Sequence, residues 1–543
     1  MSGLPRGSKQ VSNSSPHYTP ASGIILTPAT LGYFIIIKNS RERTVAVIKK
    51  LLATKNPKLM SLIYGDPHTG NTYPGSPQYP NWQTFHIGSL FHDLAYFVIG
   101  AMSVEDRRTL KVVIIGHYLK SVASFGGPSI STDDENFMKE YSNATIADSE
   151  KYKQIHTIVL AADFCYLEKR GLEARRKFHP ALSANIKCRI NTSRFDLGFH
   201  NLVLELSFTD NIYWIARIPY KAFNDDDRTS MLSEIATMKI VKKHTKVPIP
   251  QVFDFEASAN QAFGYPYILL EYLGGRTLKD LLVRSIPLVH HDKVAKQLAE
   301  VFAELQNLTF SRIGRLWCGE DAEQTIEIIG MAWHALPGPL ETSFEYFYHQ
   351  IQSDNREAAT AHRDDPDWLT ACWILKLSLY QIMVEDRARG PFPLCHLDLH
   401  YGNMLFDDEY NLKGIIDWSN AQAAPLEQLS VCPEFSIFPA LSDEQNKPAR
   451  EFKASVVHHL KETESAQEIK VTLNSVDKDG ASRLNLTRLS NHLASKSSEL
   501  ALSQYMSRPA SLMLDGKRMA KLLYGDVITW EQLKDIYGTL PVF

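Results

Sequence analysis

Leu202, Leu204, Leu206 and Phe208 alternate with Val203, Glu205 and Ser207, the period of a strand with one buried face. Thr209-Asp210-Asn211 supplies turn chemistry, and Tyr213 to Ile218 reads as the partner strand. Behind the acidic run Asp225-Asp226-Asp227, Met231, Ile235 and Met238 recur at helical spacing. Pro248-Ile249-Pro250 leads to an apolar run, Tyr267 to Tyr272, that Gly274-Gly275 ends; this reads as a strand running into a hinge. Beyond it the pattern turns helical, with a stripe at Val294, Leu298, Val301, Phe302 and Leu305 and an aromatic-rich helical stretch from 341 to 388. Strands first and helices afterwards predict an α+β chain with a small β-rich lobe and a larger helical one.

Chemistry enters at His396-Leu397-Asp398-Leu399-His400-Tyr401-Gly402-Asn403, with Ile416-Asp417-Trp418 downstream. A protein kinase writes comparable machinery as H-R-D-x-x-x-x-N and D-F-G, and the five-position interval from Asp398 to Asn403 is the same. Phosphoryl transfer asks for positioning and charge neutralisation, so one carboxylate can orient a hydroxyl and take its proton. Magnesium, a hard cation, takes oxygen ligands, which an Asn and a second Asp provide. Asn403 to Phe406 and Leu412 to Ile416 flank the polar turn Asp407 to Asn411. A hairpin there would bring Asn403 and Asp417 to one end.

The 543 residues allow two or more domains, and 44% apolar with 22% charged residues is ordinary globular composition. A formal charge of -3 argues against a general nucleic-acid binder. Six scattered cysteines without a C-x-x-C pair predict a reducing compartment and no disulfide or zinc framework. The N-terminus does not read as a signal peptide. Residues 21 to 37 are uncharged but broken by Thr27, Pro28, Thr30 and Gly32, which argues against a membrane span. The expected compartment is the cytosol, with no membrane partner, and the oligomeric state stays open.

From about Arg189 to the C-terminus the chain resembles the aminoglycoside phosphotransferase/choline kinase-like family, in particular its large fungal branch. The matching pieces are Gly198-Phe199-His200-Asn201, Trp214 to Pro219, Glu234 with its helix, Val247 to Pro250, Leu270 to Gly275, the 396–403 loop and Ile416-Asp417-Trp418. The resemblance implies a protein-kinase-like two-lobed fold, with a smaller lobe at 185–275 and a larger one at 276–543. It implies an ATP- and Mg2+-dependent small-molecule kinase, with Asp398 as base, Asn403 and Asp417 as magnesium ligands, and His396 bracing the catalytic loop. Arg217 and Glu234 would serve the phosphates, Gly198 the phosphate loop, and the backbone of Glu271, Tyr272 and Leu273 the adenine. Two departures stand out: Arg217 replaces the family's Lys, a planar fork in place of a point charge, and the phosphate loop holds Gly198 alone. They favour the rival reading, a catalytically silent nucleotide-binding protein. Trp418 in place of Phe-Gly, and Ala424-Pro425-Leu426-Glu427 so close behind Asp417, argue against a protein kinase.

Tyr64-Gly65-Asp66-Pro67-His68-Thr69-Gly70-Asn71 aligns without gaps on His396 to Asn403. With Asn81-Trp82-Gln83 and Phe91 to Phe97 it reads as an incomplete second copy of the larger lobe within 21–180, after a loose tail at 1–20. About 60 residues precede Asp66, too few for a smaller lobe, and Asn81 lacks the carboxylate. The expectation is an inactive remnant, whether of a neighbouring gene or of an over-extended gene model. Asp477-Lys478-Asp479-Gly480 reads as a solvated turn, because Ser475 and Leu486 stand where a calcium loop needs Asp and Glu. His396 and His400 lack the Glu of H-E-x-x-H.

Overall fold

The computed structural model describes 60–63, 86–89, a few positions between 113 and 132, and 150–542 apart from 193–194, 199, 332–337, 436–441, 466–485 and 507–511. Contacts divide the chain into two units, Met1–Thr157 and Ile158–Phe543. In the first, β1 (Met60–Ile63) pairs antiparallel with β2 (His86–Ser89). The tail, the 64–71 and 81–83 segments and Phe91 to Phe97 lie outside the described residues, as does Asp477 to Gly480.

The second unit is the α+β arrangement expected. Its antiparallel sheet runs β3 (Cys188–Ile190), β5 (Asn201–Phe208), β6 (Tyr213–Pro219), β8 (Tyr267–Glu271), β7 (Val252–Glu256), with β4 (Asp196–Leu197) also on β5. The alternation in β5 is realised: Leu202, Leu204 and Leu206 are fully buried and Phe208 nearly so. Each such side chain contributes about 1.5–3 kcal/mol. Asn211 turns the chain at φ 62°, a left-handed conformation that Asn tolerates.

The helix Asp225–His244 begins at the first residue of its acidic run. Asn224 is the N-cap, and Asn224 and Asp227 exchange side-chain and backbone hydrogen bonds of 3.0 Å. Acidic residues in the first turn and Lys242, Lys243 and His244 in the last suit the helix dipole. Upstream of the boundary expected at 185, the helix Phe164–Phe178 packs on β3 and β7. Arg170 pairs with Asp254 at 2.6 Å, and Arg175 grips Asp210 with both terminal nitrogens, so this helix belongs with the sheet.

The larger lobe is helical: His291–Asn307, Ser343–Ala361, Pro366–Leu377 and Asp443–Ser465 are its long members. Short strands interrupt it at Phe392–Cys395, Met404–Phe406 and Leu412–Ile415, the last two forming the expected antiparallel hairpin. The hairpin is held from outside. Arg276, just past the hinge, exchanges two backbone hydrogen bonds of 2.9 Å with Phe406, and the Pro248 carbonyl accepts from the Ile415 N–H at 2.8 Å. Leu273 lies directly over Gly414, where an added Cβ would stand 2.2 Å from its Cδ1. Gly414 is thus a residue of close approach, and the hinge rests where a side chain would otherwise be.

Glu434 fixes the other side of the 396–403 loop. It is 1% exposed and accepts the N–H groups of Leu282 (2.7 Å) and Tyr401 (2.9 Å). Burial pushes its carboxyl up to about 7 against the opposing pull of those two bonds, and burial does the same to Glu427.

Two outcomes follow from this packing. Gly414→Val should destabilise the protein by about 1–3 kcal/mol in urea unfolding, and Leu273→Ala in the same chain should recover part of the loss; Gly414→Ala, which only displaces a flexible methyl, should cost less. Because the Glu434 and Glu427 carboxyls bind their protons more tightly when folded, stability is full below the usual Glu range and declines as pH rises through about 7. The urea midpoint should therefore fall from pH 5 to pH 8, and fall less in Glu434→Gln.

Candidate active site

The loop after Phe392–Cys395 is shaped by His396. Its ring is 2% exposed and edge-on to Trp418, with centroids 4.7 Å apart. Nε2 lies 3.0 Å from the Ile416 carbonyl, and Nδ1 accepts the Asp398 N–H at 3.3 Å. That pair of partners requires a neutral imidazole with its proton on Nε2. Burial depresses its pKa to about 4, against the weaker upward pull of the Ile416 carbonyl and Asp417, so it stays neutral at physiological pH. His396, assigned to the catalytic set from sequence, sits behind the loop as a positioning residue.

Leu397 at φ 60° and Asp417 at φ 64° are both left-handed. Such backbone costs on the order of 1–3 kcal/mol per residue and persists where its surroundings impose it. Here the imposed shape turns two carboxylates toward a common region. Asn403 donates from Nδ2 to the Asp398 carbonyl (2.9 Å) and to Asp398 Oδ2 (3.3 Å), and the Ile416 N–H bonds the Asn403 carbonyl at 3.0 Å. Burial raises the pKa of Asp398, and Asp417 adds to the rise, while His400 and Asn403 oppose it. The Asp398 side chain remains 40% exposed. His400, missed as a site residue, stands 3.7 Å from Asp398 and accepts the Gly402 N–H at 3.0 Å. A Cβ on Gly402 would stand 2.7 Å from the His400 ring, which explains that glycine.

Across the cleft, Arg217 on β6 meets Glu234 on the Asp225–His244 helix in a fork-to-fork pair, Nη1 to Oε1 at 2.8 Å and Nη2 to Oε2. The side chains are 16% and 2% exposed. Burial works against the Arg217 charge, but Glu234 and then Asp417 outweigh it and raise its pKa. Arg217 and Glu234 line a cavity of about 290 Å³ with His200, Lys221 and Ser419. The Ser419 hydroxyl donates to Asp417 Oδ1 at 2.9 Å, which links the cavity to the loop. Of these three, His200 lay inside a quoted motif; Lys221 and Ser419 carried no pattern of their own.

The remaining expectations fare differently. Gly198 closes a tight turn, its N–H on the Asn201 carbonyl at 3.0 Å, and a Cβ there would meet only ordinary contacts, so nothing demands a glycine. Glu271 ends β8, and its carboxylate takes the Gln251 N–H and Lys242. Glu271 and Tyr272 line a separate cavity with Trp214 and Phe253, and Leu273 covers Gly414. These hinge side chains do not join the Arg217 cavity.

Residues 191–429 match the family described as Phosphotransferase enzyme family. The protein named altered inheritance of mitochondria protein 9, mitochondrial, of Candida glabrata is 26% identical over 155 residues, 24% of this chain and 24% of its own. Its namesake in Yarrowia lipolytica is 27% identical over 209 residues, 36% of this chain and 31% of its own. The chain thus spans about a quarter to a third of the length of these relatives. Among solved structures, Plasmodium vivax ethanolamine kinase is similar with a TM-score of 0.35 and 13% identity, covering 79% of this chain and 95% of that one. A macrolide 2'-phosphotransferase type I gives 0.33 and 14%, covering 69% and 97%.

The cytosolic expectation is corrected by these relatives, which are named as mitochondrial proteins. Scattered cysteines report thiol chemistry and do not name a compartment. Among the described residues no helix is long and apolar enough to cross a membrane. The resemblance carried by the loop, the hairpin and the hinge is borne out: residues 191–429 match the model of the phosphotransferase enzyme family.

Proposed function

We propose that this domain is an ATP- and magnesium-dependent phosphotransferase acting on a hydroxyl of a small molecule. The observation that supports it best is the convergence of Asp398, Asn403 and Asp417 on one end of the hairpin, within electrostatic reach of Arg217. In this reading 185–275 acts as the smaller lobe, joined by the helix Phe164–Phe178, and 276–543 as the larger. The rest of 21–180 is, in this reading, an inactive segment.

The donors suit the groups this chemistry needs. Asn403 commits its amide nitrogen to Asp398, which leaves its Oδ1 as the atom that would join the Asp417 carboxylate in holding a metal; both are hard oxygens of the kind magnesium takes. Magnesium bound there would neutralise phosphate charge and orient the transferring group. Arg217 spends both terminal nitrogens on Glu234, while its Nε is buried without a protein partner. That Nε–H is a charged donor for a phosphate oxygen, and Lys221 on the same cavity adds a second cation. Asp398 orients the acceptor hydroxyl and takes its proton, a task that the raised pKa favours by making the carboxylate a better base. His396 holds the Asp398 backbone and Asp417 in register without exchanging protons itself.

A silent nucleotide-binding protein is the second reading, favoured by the commitment of the Arg217 fork to Glu234 and by the single, undemanding Gly198. Asp398→Asn separates the two. In the phosphotransferase it should lower magnesium-dependent ATP turnover by about 10²–10⁴-fold and leave nucleotide binding in place. ATP binding with no turnover by the full chain across a panel of hydroxyl acceptors would establish the silent reading. Arg217→Ala should destabilise the fold by about 3–5 kcal/mol in chemical denaturation, because it strands a buried carboxylate. Arg217→Lys keeps that charge pair and should restore most of the stability.

A further inference from the structure

The helix Asp443–Ser465 carries two consecutive histidines, His458 and His459, with Glu462 four and three residues on. On a helix those intervals put Glu462 beside both rings. Glu462 Oε1 lies 3.5 Å from His458 Nε2, and Oε2 lies 3.5 Å from His459 Nδ1. One potential ligand atom from each of the three falls within 4.8 Å of the others. The far side of His459 is occupied: Nε2 bonds Asp292 Oδ1 at 2.8 Å, and the Ser455 hydroxyl bonds the same oxygen at 2.9 Å. Asp292 sits in the first turn of the helix His291–Asn307, so the cluster joins two helices.

We propose that His458, His459 and Glu462 form a binding site for a divalent transition-metal ion of the zinc class, with Asp292 as the outer partner of His459. The His459 ring is only 13% exposed. Its Nε2–H donates to a carboxylate, which fixes the tautomer and leaves the Nδ1 lone pair facing Glu462. A carboxylate behind a histidine is the usual support of a metal-bound imidazole, orienting the ring and raising its basicity. Two imidazoles and one carboxylate select zinc, copper or nickel over magnesium or calcium, and a water completes a tetrahedron. The helix intervals bring Glu462 to both rings, and the Asp292 bond holds His459 with its free nitrogen on the Glu462 side. These residues are separate from Asp398, Asn403 and Asp417, so the ion here neither replaces nor depends on the proposed magnesium.

Titration of the chelator-stripped full chain with Zn2+, in excess Mg2+, tests this by calorimetry and by the melting temperature. The expected result is one equivalent of Zn2+ bound, with a rise in melting temperature. His458→Ala with Glu462→Gln, both exposed positions that leave the fold intact, should abolish that equivalent. Asp292→Asn should weaken binding about 10–100-fold at unchanged stoichiometry, and Cys165→Ser, at the one exposed cysteine among the described residues, should change nothing. Failure to bind, or binding of equal affinity in the His458→Ala/Glu462→Gln variant, overturns the proposal.

Discussion

The arrangement of this domain turns on one buried imidazole. His396 spans two stretches of backbone, the carbonyl of Ile416 and the N–H of Asp398, and so sets how far the loop carboxylate lies from Asp417. The bridge works because the ring is neutral. A cation could not accept the Asp398 N–H, and burial keeps the proton off by lowering the pKa to about 4. The left-handed residues at 397 and 417 flank this bridge, so local backbone strain is held where one side chain ties both strands together.

Charge is distributed around that frame in an uneven way. Glu234 is sealed under the sheet and fully engaged by Arg217, while Asp398 stays accessible. Burial of one carboxylate with a guanidinium fork, and partial exposure of another without a direct cation, gives neighbouring acids opposite characters. Glu434 is a third case, an acid that serves backbone N–H groups on two segments and meets no cation at all. A carboxylate serves here as a structural acceptor, as an ion-pair partner or as an accessible acid, and its surroundings decide which.

Much of this was legible in the chain because the signals are local. Alternation wrote β5, a helical stripe wrote His291–Asn307, and a five-residue interval with a flanked polar turn wrote the loop and hairpin. Glu434 and Lys221 were not legible, since each meets a partner well away in sequence and carries no period or motif; Ser419 bonds Asp417 two residues back, but a lone Ser after Trp418 signals nothing by itself. The surroundings of the hinge side chains were hidden for a related reason. Runs of apolar residues locate a strand, yet they do not say which cavity its last side chains will face, and Tyr272 faces one apart from Arg217. The compartment failed differently, because cysteine usage constrains redox chemistry and nothing more.

The hairpin's outer contacts carry one more implication. Its two arms are gripped by backbone outside the hairpin: Pro248 from the connector behind the sheet, and Arg276, the first residue past the hinge. The Pro248 grip on Ile415 sits one residue from the bond between Asn403 and Ile416, so movement of the connector would be felt there first. The open end of the hairpin, with Asp417 directly behind it, is thereby tethered to the segment that leads into the sheet, so its position follows that segment.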